Sequence, residues 1–391
     1  MRSTADVVIV GGGVVGSSVA YHLRQAPCRG RVVVIERDDT YSRASSSLAM
    51  GGIRQQFTLS ANVRMVQYSV DFYRDLDRRM SVANETQRVD FQQRGYLFLA
   101  DAASAARLTR RYEAMRFAAA SVTCLSRSEI QARLPDAWLD DIEFGLFGPD
   151  DGYANPKSLV FAMRKIARDA GVEYVRAEAS SISRTDHRVT GVAFGGDSID
   201  TQVVVNAAGP FAARIADLAG VSLPVSPVRQ QLFRCDLPRR WDYRFPMVID
   251  PSGVHWRHDD TGVPDRIVVA RTRPDEPPGE NFTCDASRWL AEYFPPLIRR
   301  MPSLMGVTRV EGWAGLYEMT PDHSPIIGEH PDLGGFFLAN GFSGHGLMMA
   351  PATGRAVAEL IKNATPRTID VSVFAFDRFR TGALLPTDAT I

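Results

Sequence analysis

Residues 7–36 constrain this chain more than any other stretch. Val7–Val10 (VVIV) is an apolar, β-branched run of strand length. It enters a glycine turn in which Gly11, Gly13 and Gly16 give G-x-G-x-x-G. Residues 14–24 read as a helix, with Val15 and Val19 on one face. Residues 31–35 form a second apolar strand ending at Glu36, an acid twenty residues beyond the last glycine. That order predicts a βαβ unit holding a dinucleotide. Gly11 permits the turn, Gly13 lets a pyrophosphate approach the backbone, and Gly16 lets the helix pack closely on the strand. The helix N-terminus offers free N–H groups and partial positive charge to phosphates. Glu36 is placed to accept hydrogen bonds from a ribose hydroxyl. The motif alone does not choose between FAD and NAD.

The chain has 391 residues, more than one core usually holds, so two domains are expected. A net charge of zero argues against nucleic acid or an anionic membrane as the main partner. Lysine occurs only at Lys157, Lys165 and Lys362, so any cation in a site between the last two is Arg or His. Cys28, Cys124, Cys235 and Cys284 are widely spaced, without metal-site spacing; reduced thiols and a cytoplasmic setting are expected. No metal site is expected. Residues 5–21 have the hydropathy of a signal or membrane segment, but four glycines interrupt them and the phosphate loop accounts for them better. No other stretch is apolar enough to span a bilayer.

Further along, residues 42–57 (SRASSSLAMGGIRQQF) are small and carry an isolated charge at Arg54. Residues 62–79 have helical periodicity. Residues 89–100 read as a strand pair around Gly95, residues 102–120 and 128–134 as helices, and residues 144–155 as a loop. Pro156 opens a helix that Gly171 ends. Residues 172–175, 189–194 and 203–206 read as strands. The last runs into NAAGPFAARIADLAG, a second strand–Gly–helix crossing that suggests a return to the nucleotide domain. From residue 225 to 273 the pattern turns to successive strands, as in an antiparallel sheet. A proline-interrupted helix over 289–300, a strand over 309–317 and a helix over 350–362 follow.

Together these motifs resemble the D-amino-acid oxidase-like FAD oxidoreductases, in the branch holding sarcosine oxidase and dimethylglycine dehydrogenase. The resemblance covers nearly the whole chain. It rests on GGGVVG with Glu36 and Arg37, SSSLAMGGIRQQF, GPDDGYANPKSL, VVVNAAGP, SPVRQQ, GLYEMTPDHSPIIG and ANGFSGHG. It implies an α/β fold: a Rossmann-like FAD-binding domain built from residues 1–80, 150–222 and 322–391. A mostly antiparallel-sheet substrate domain would take residues 81–149 and 223–321. By the same resemblance Gly11, Gly13, Val14, Val15, Gly16, Glu36 and Arg37 hold the adenosine and pyrophosphate. Ser46, Ser47, Gly51 and Gly52 line the flavin ring, and Ala208 and Gly209 support the nucleotide. Gly341, Ser343, Gly344, His345 and Gly346 close around the pyrimidine end. Two departures matter. Gly315 stands about where monomeric sarcosine oxidases carry the cysteine that bonds the flavin, so FAD is expected to be non-covalent. Met348, and Val269 or Ala270, stand where those enzymes carry lysines for the substrate carboxylate and for oxygen, so the sarcosine site is not reproduced.

Such a site removes hydride from a carbon bearing a neutral amine; the product is an imine that water hydrolyses. The expected partner is a small amine or amino acid, with oxygen or another carrier as electron acceptor. Both an oligomer and a partner subunit remain open alternatives. Arg54 is the first candidate for a carboxylate anchor, with a loop-holding role as the alternative; Arg229 is the second. His255 and, two residues on, Arg257 belong to a strand expected to line the substrate cavity; a surface strand is the alternative for His255. Tyr317 caps that cavity or belongs to the core. His22, His187, His258, His323 and His330 have no motif behind them. Two rival readings remain: a 2-hydroxy-acid oxidoreductase, and a low-turnover FAD-holding assembly or partner subunit, since GGIRQQF also resembles a mitochondrial assembly factor.

Overall fold

The computed structural model describes residues 2–25, 30–83, 89–259 and 265–386; Cys28 lies outside them. The βαβ opening forms as its residues dictate. Val7–Val10 and Val32–Glu36 pair in parallel, and the helix Val14–Gln25 joins them. Two strands from far along the chain extend this core. Val204–Asn206 lies beside Val7–Val10, and Leu333–Asn340 lies beside Val204–Asn206, both parallel. Glu173–Arg176 adds to the other side of Val32–Glu36. Ala179–Thr185, Arg188–Phe194 and Asp197–Asp200, antiparallel to one another, and the short strand Arg2–Thr4 help complete a mixed ten-stranded sheet. The helix Gly346–Asn363 packs across Val14–Gln25, where Gly354 lies so near that a Cβ would sit 2.2 Å from Ser18 Oγ.

A second sheet of eight strands runs in the order Thr308–Met319, Ser226–Asp236, Arg266–Arg271, Val254–His258, Met247–Ile249, Tyr96–Asp101, Ile142–Gly148 and Thr123–Leu125. All neighbours are antiparallel except Met247–Ile249 with Tyr96–Asp101. The expected α/β class, with a parallel nucleotide sheet and a mostly antiparallel second sheet, is therefore present.

Some local expectations fail. Residues 144–155 are not a loop but the strands Ile142–Gly148 and Gly152–Ala154; Pro149, Asp150 and Asp151 form the bend between them, while Gly145 sits within the first strand. The flanks of Gly95 do not pair with each other. Phe91–Gln92 joins Gly152–Ala154 in a three-stranded sheet, and Tyr96–Asp101 enters the eight-stranded one. Gly95 has φ +85°, the left-handed turn that separates them. Ala179–Thr185 was hidden because it is polar and largely exposed. The helix expected over 289–300 is present and changes type at its prolines: Trp289–Tyr293 is a π-helical turn, and Phe294–Arg300 continues it as an α-helix with Pro295 and Pro296 in its first turn.

Candidate functional site

A cavity of about 220 Å³ opens over the glycine turn. Gly11, Gly13, Val14, Val15, Glu36, Arg37, Ser46, Ala208 and Gly209 all line it. The glycines have distinct duties. Gly11 sits at φ +100° against the Ala207 carbonyl. Gly16 is off the cavity, pressed on the Gly11 carbonyl. Gly13 is bare toward the cavity; a Cβ there would meet only Ser46 Oγ, at 3.4 Å. Gly209, at φ +57°, has nothing within 4 Å of such a Cβ. Glu36 accepts from the Gly12 N–H at 2.7 Å and the Asp38 N–H at 2.9 Å, which bends the chain after the strand back toward the turn. Burial still pushes its carboxyl above the ordinary value. The Arg37 guanidinium stacks on the Phe211 ring at 3.8 Å, bringing the two nucleotide segments together. The Tyr41 hydroxyl on this wall is buried without a partner, and bare glycine backbone lies beside it. Bare backbone, a half-used carboxylate and an orphaned hydroxyl fit an elongated dinucleotide.

A second cavity of about 260 Å³ shares Ser45 with the first. Its walls are the small-residue segment with Gly51 and Gly52, the loop with Ser343, Gly344 and His345, and one face of the eight-stranded sheet. Ser47, Gly341 and Gly346 stand behind these walls. Ser47 Oγ is buried without a partner, and the Gly341 N–H donates to Glu318 Oε2 at 2.9 Å. His345 occupies the N-cap position of the helix Gly346–Asn363 without a side-chain cap bond, and Leu347 and Met348 of its first turn line the cavity.

Strand alternation decides which side chains this cavity receives. Val228, Gln230, Leu232, Ala270, His255 and Tyr96 share the face that looks at it. Arg229 lies on the opposite face, where it donates to Glu276 at 2.6 Å and to the Thr283 carbonyl; its role is structural. Arg271 and Arg273 reach the rim, but their guanidinium groups are held by Glu292, Glu276 and Asp275. Of the four residues singled out for chemistry, His255 and Tyr317 line the cavity. Arg257 does not; it donates to the carbonyls of Met50 and His258 and so supports the segment before Gly51. Arg54 is fully buried behind the wall, with Phe57 and Phe98 around it. Sequence reasoning passed over Tyr96, Gln230 and His323, which line the cavity, and Glu318, which lines the first.

Burial sets the protonation of this region. His255 is lowered to about 4 by desolvation. Its Nδ1 lies 3.1 Å from the Gly253 carbonyl, which can only accept, so Nδ1 carries the proton and Nε2 is an acceptor. His345 is held well below its ordinary value, by burial first and by Arg54 second. Desolvation raises Glu318 to about 7, from an ordinary 4.5, against the opposing Gly341 N–H. A carboxyl raised on folding gives stability present below its unfolded pKa and lost as pH rises through 7. Glu318→Gln abolishes this titration. Relative to wild type it should be more stable at pH 8 than at pH 5, by up to ~3 kcal/mol. Urea midpoints at the two pH values read this; an equal offset at both refutes it.

A family profile described as "FAD dependent oxidoreductase" matches residues 6–360. The chain is 33% identical over 414 residues to "FAD-dependent oxidoreductase domain-containing protein 1" of Xenopus laevis, covering 96% of this chain and 82% of that protein. It is 26% identical to glycine oxidase of Geobacillus kaustophilus, over 97% of this chain and 98% of that one. Among solved structures, L-proline dehydrogenase from P. horikoshii superposes with TM-score 0.89 at 28% identity, covering 98% of this chain and 100% of that chain.

Proposed function

Since the chain belongs to the FAD-dependent oxidoreductase family that residues 6–360 match, we propose that it oxidises the CH–NH bond of a small amino acid or N-substituted amino acid. The amino-acid names of its relatives, glycine oxidase, dimethylglycine dehydrogenase and L-proline dehydrogenase, support this reading. The observation that carries it is the second cavity, where a neutral imidazole acceptor and a phenol face the same space. A flavin bound there would supply the hydride acceptor. His255 Nε2 accepts from the amine N–H and holds the nitrogen with its lone pair free. With a pKa of about 4 the imidazole adds no positive charge at neutral pH, which favours the uncharged amine. Burial raises the Tyr317 hydroxyl, keeping it a neutral donor. A substrate carboxylate meets Tyr96, Tyr317 and Gln230 at this wall, since Arg54 stands behind it.

Residues 1–80, 150–222 and 322–391 are proposed as the FAD domain, with residues 81–149 and 223–321 as the substrate domain. Gly315 lines the second cavity and no cysteine lines either cavity among the described residues, which supports non-covalent FAD. Cys124, Cys235 and Cys284 are free thiols, which supports a reducing, cytoplasmic setting. No helix of the described residues is long and apolar enough to cross a membrane.

The test is anaerobic bleaching of the yellow protein with a panel of amino acids, secondary amines and 2-hydroxy acids. Amines should bleach it and hydroxy acids should not. His255→Ala should slow bleaching about 10²-fold with flavin content unchanged. Bleaching by hydroxy acids alone would transfer the site to that class. Protein that stays oxidised with every compound would favour a flavin-holding partner or assembly subunit; this second reading is motivated by the 33% identity to a relative whose name specifies no substrate.

A further inference from the structure

Arg54 is a buried charge of this region that the proposed reaction does not use. Its side chain is fully buried beside the second cavity. One guanidinium nitrogen donates to the Gln56 carbonyl at 2.7 Å and another to His345 Nε2 at 3.3 Å. Nε has no partner, and Phe57, Phe98 and Tyr96 surround the group at 4.4, 5.5 and 6.0 Å. Among the described residues no carboxylate forms an ion pair with it. The nearby Asp151 is occupied by the Gln55 N–H and the Gln56 amide. A guanidinium does not lose its proton, so a full positive charge stands here in a medium of low polarity. Its hydrogen bond fixes His345 with the proton on Nδ1, and His345 in turn stands at the N-cap position of the helix Gly346–Asn363, whose N-terminus adds partial charge of the same sign.

We propose that Arg54 is a positioning residue whose charge sets the electron affinity of the flavin, acting across His345 without touching the ring. This rests on the reading that the flavin ring occupies the second cavity. A ring that gains negative charge on reduction is stabilised by a fixed cation a few ångströms behind its wall, a field that the aromatic neighbours do not cancel and that Asp151, without an ion pair to Arg54, opposes only in part. The aromatic cage keeps the guanidinium in place, where a carboxylate would cancel the field.

The experiment equilibrates purified holoprotein with a reference dye and reads the ratio of reduced to oxidised flavin, for wild type, Arg54→Lys and Arg54→Gln. Arg54→Gln should lower the ratio about tenfold, equal to about 30 mV for a two-electron couple. Arg54→Lys, which keeps the charge, should stay within about threefold of wild type. An unchanged ratio in Arg54→Gln overturns the proposal, as does a Lys variant that falls as far as the Gln variant, since shape would then be what matters. Should Arg54→Gln fail to retain flavin, Asp151→Asn carries the test at pH 8. Removing that opposing charge should raise the ratio, and no change overturns the proposal. Wild-type protein that binds no flavin would sink the reading of the cavity, whereas flavin-loaded variants of unchanged ratio sink only the role of Arg54.

Discussion

Gly16→Ala is expected to yield a protein that holds no flavin. The added Cβ would stand 1.9 Å from the Gly11 carbonyl oxygen and 3.3 Å from Ala207 Cβ. Both obstacles belong to the nucleotide turn. Gly11 cannot retreat, because it is itself pressed against the Ala207 carbonyl in a left-handed conformation. The helix Val14–Gln25 must therefore lift from the strand, which opens the first cavity and exposes its apolar floor. A loss of about 3 kcal/mol or more is expected. Gly13→Ala is the control. Its Cβ meets only Ser46 Oγ at 3.4 Å, so the fold should survive while flavin binding weakens through intrusion into the bare cradle. Flavin absorbance per chain, beside urea denaturation of the apoprotein, separates the two. Full flavin occupancy in Gly16→Ala would contradict the role given to this close approach.

Arg378→Met is expected to cost about 3–5 kcal/mol, because it strands a buried carboxylate. Arg378 reaches Asp322 at 2.7 Å, with the two side chains only 5% and 0% exposed. It also donates to the carbonyls of Phe374, Ser324 and Pro325. Asp322 accepts from the Ser324 and Leu385 N–H groups and from Thr320 Oγ1. The TPD triplet thus ties the turn after Thr308–Met319 to the C-terminal segment. Asp322→Asn combined with Arg378→Met should be milder than the sum of the single changes, since neither charge is then left alone. Strict additivity would show that the pair contributes nothing as a pair.

The nucleotide fold was legible because its constraints are local: Gly11 and Gly16 have close backbone neighbours that only glycine allows, and the flanking strands are short apolar runs. The second cavity was legible only in part. Its sheet face is drawn from residues as far apart as Tyr96, His255 and Tyr317. Which residue of a strand faces inward depends on register, and register follows from pairing, not from the strand itself. Arg54 shows the same limit. Its residue type suggested an anchor, while Phe57, three positions on, and Phe98, from another strand, wall it off. Glu318 went unnoticed beside Tyr317, although an acid between apolar strand residues was a signal worth weighing. His323 lacked a motif of its own; its place comes from the turn that Asp322 fixes.

The order of strands in the parallel sheet bears on how the chain reaches this state. Val7–Val10 must wait for Val204–Asn206, which in turn borders Leu333–Asn340. During synthesis, a ribosome that has made about three quarters of the chain has released Val7–Val10 and Val204–Asn206, but the outer edge of Val204–Asn206 stays bare until Leu333–Asn340 arrives. The first helix also lacks Gly346–Asn363 as a cover. Closing contacts over such separations is slow, and the waiting edge is adhesive. Chains truncated before residue 333 should accordingly depend on chaperones to stay dispersed, and restoring the last segment should relieve that dependence.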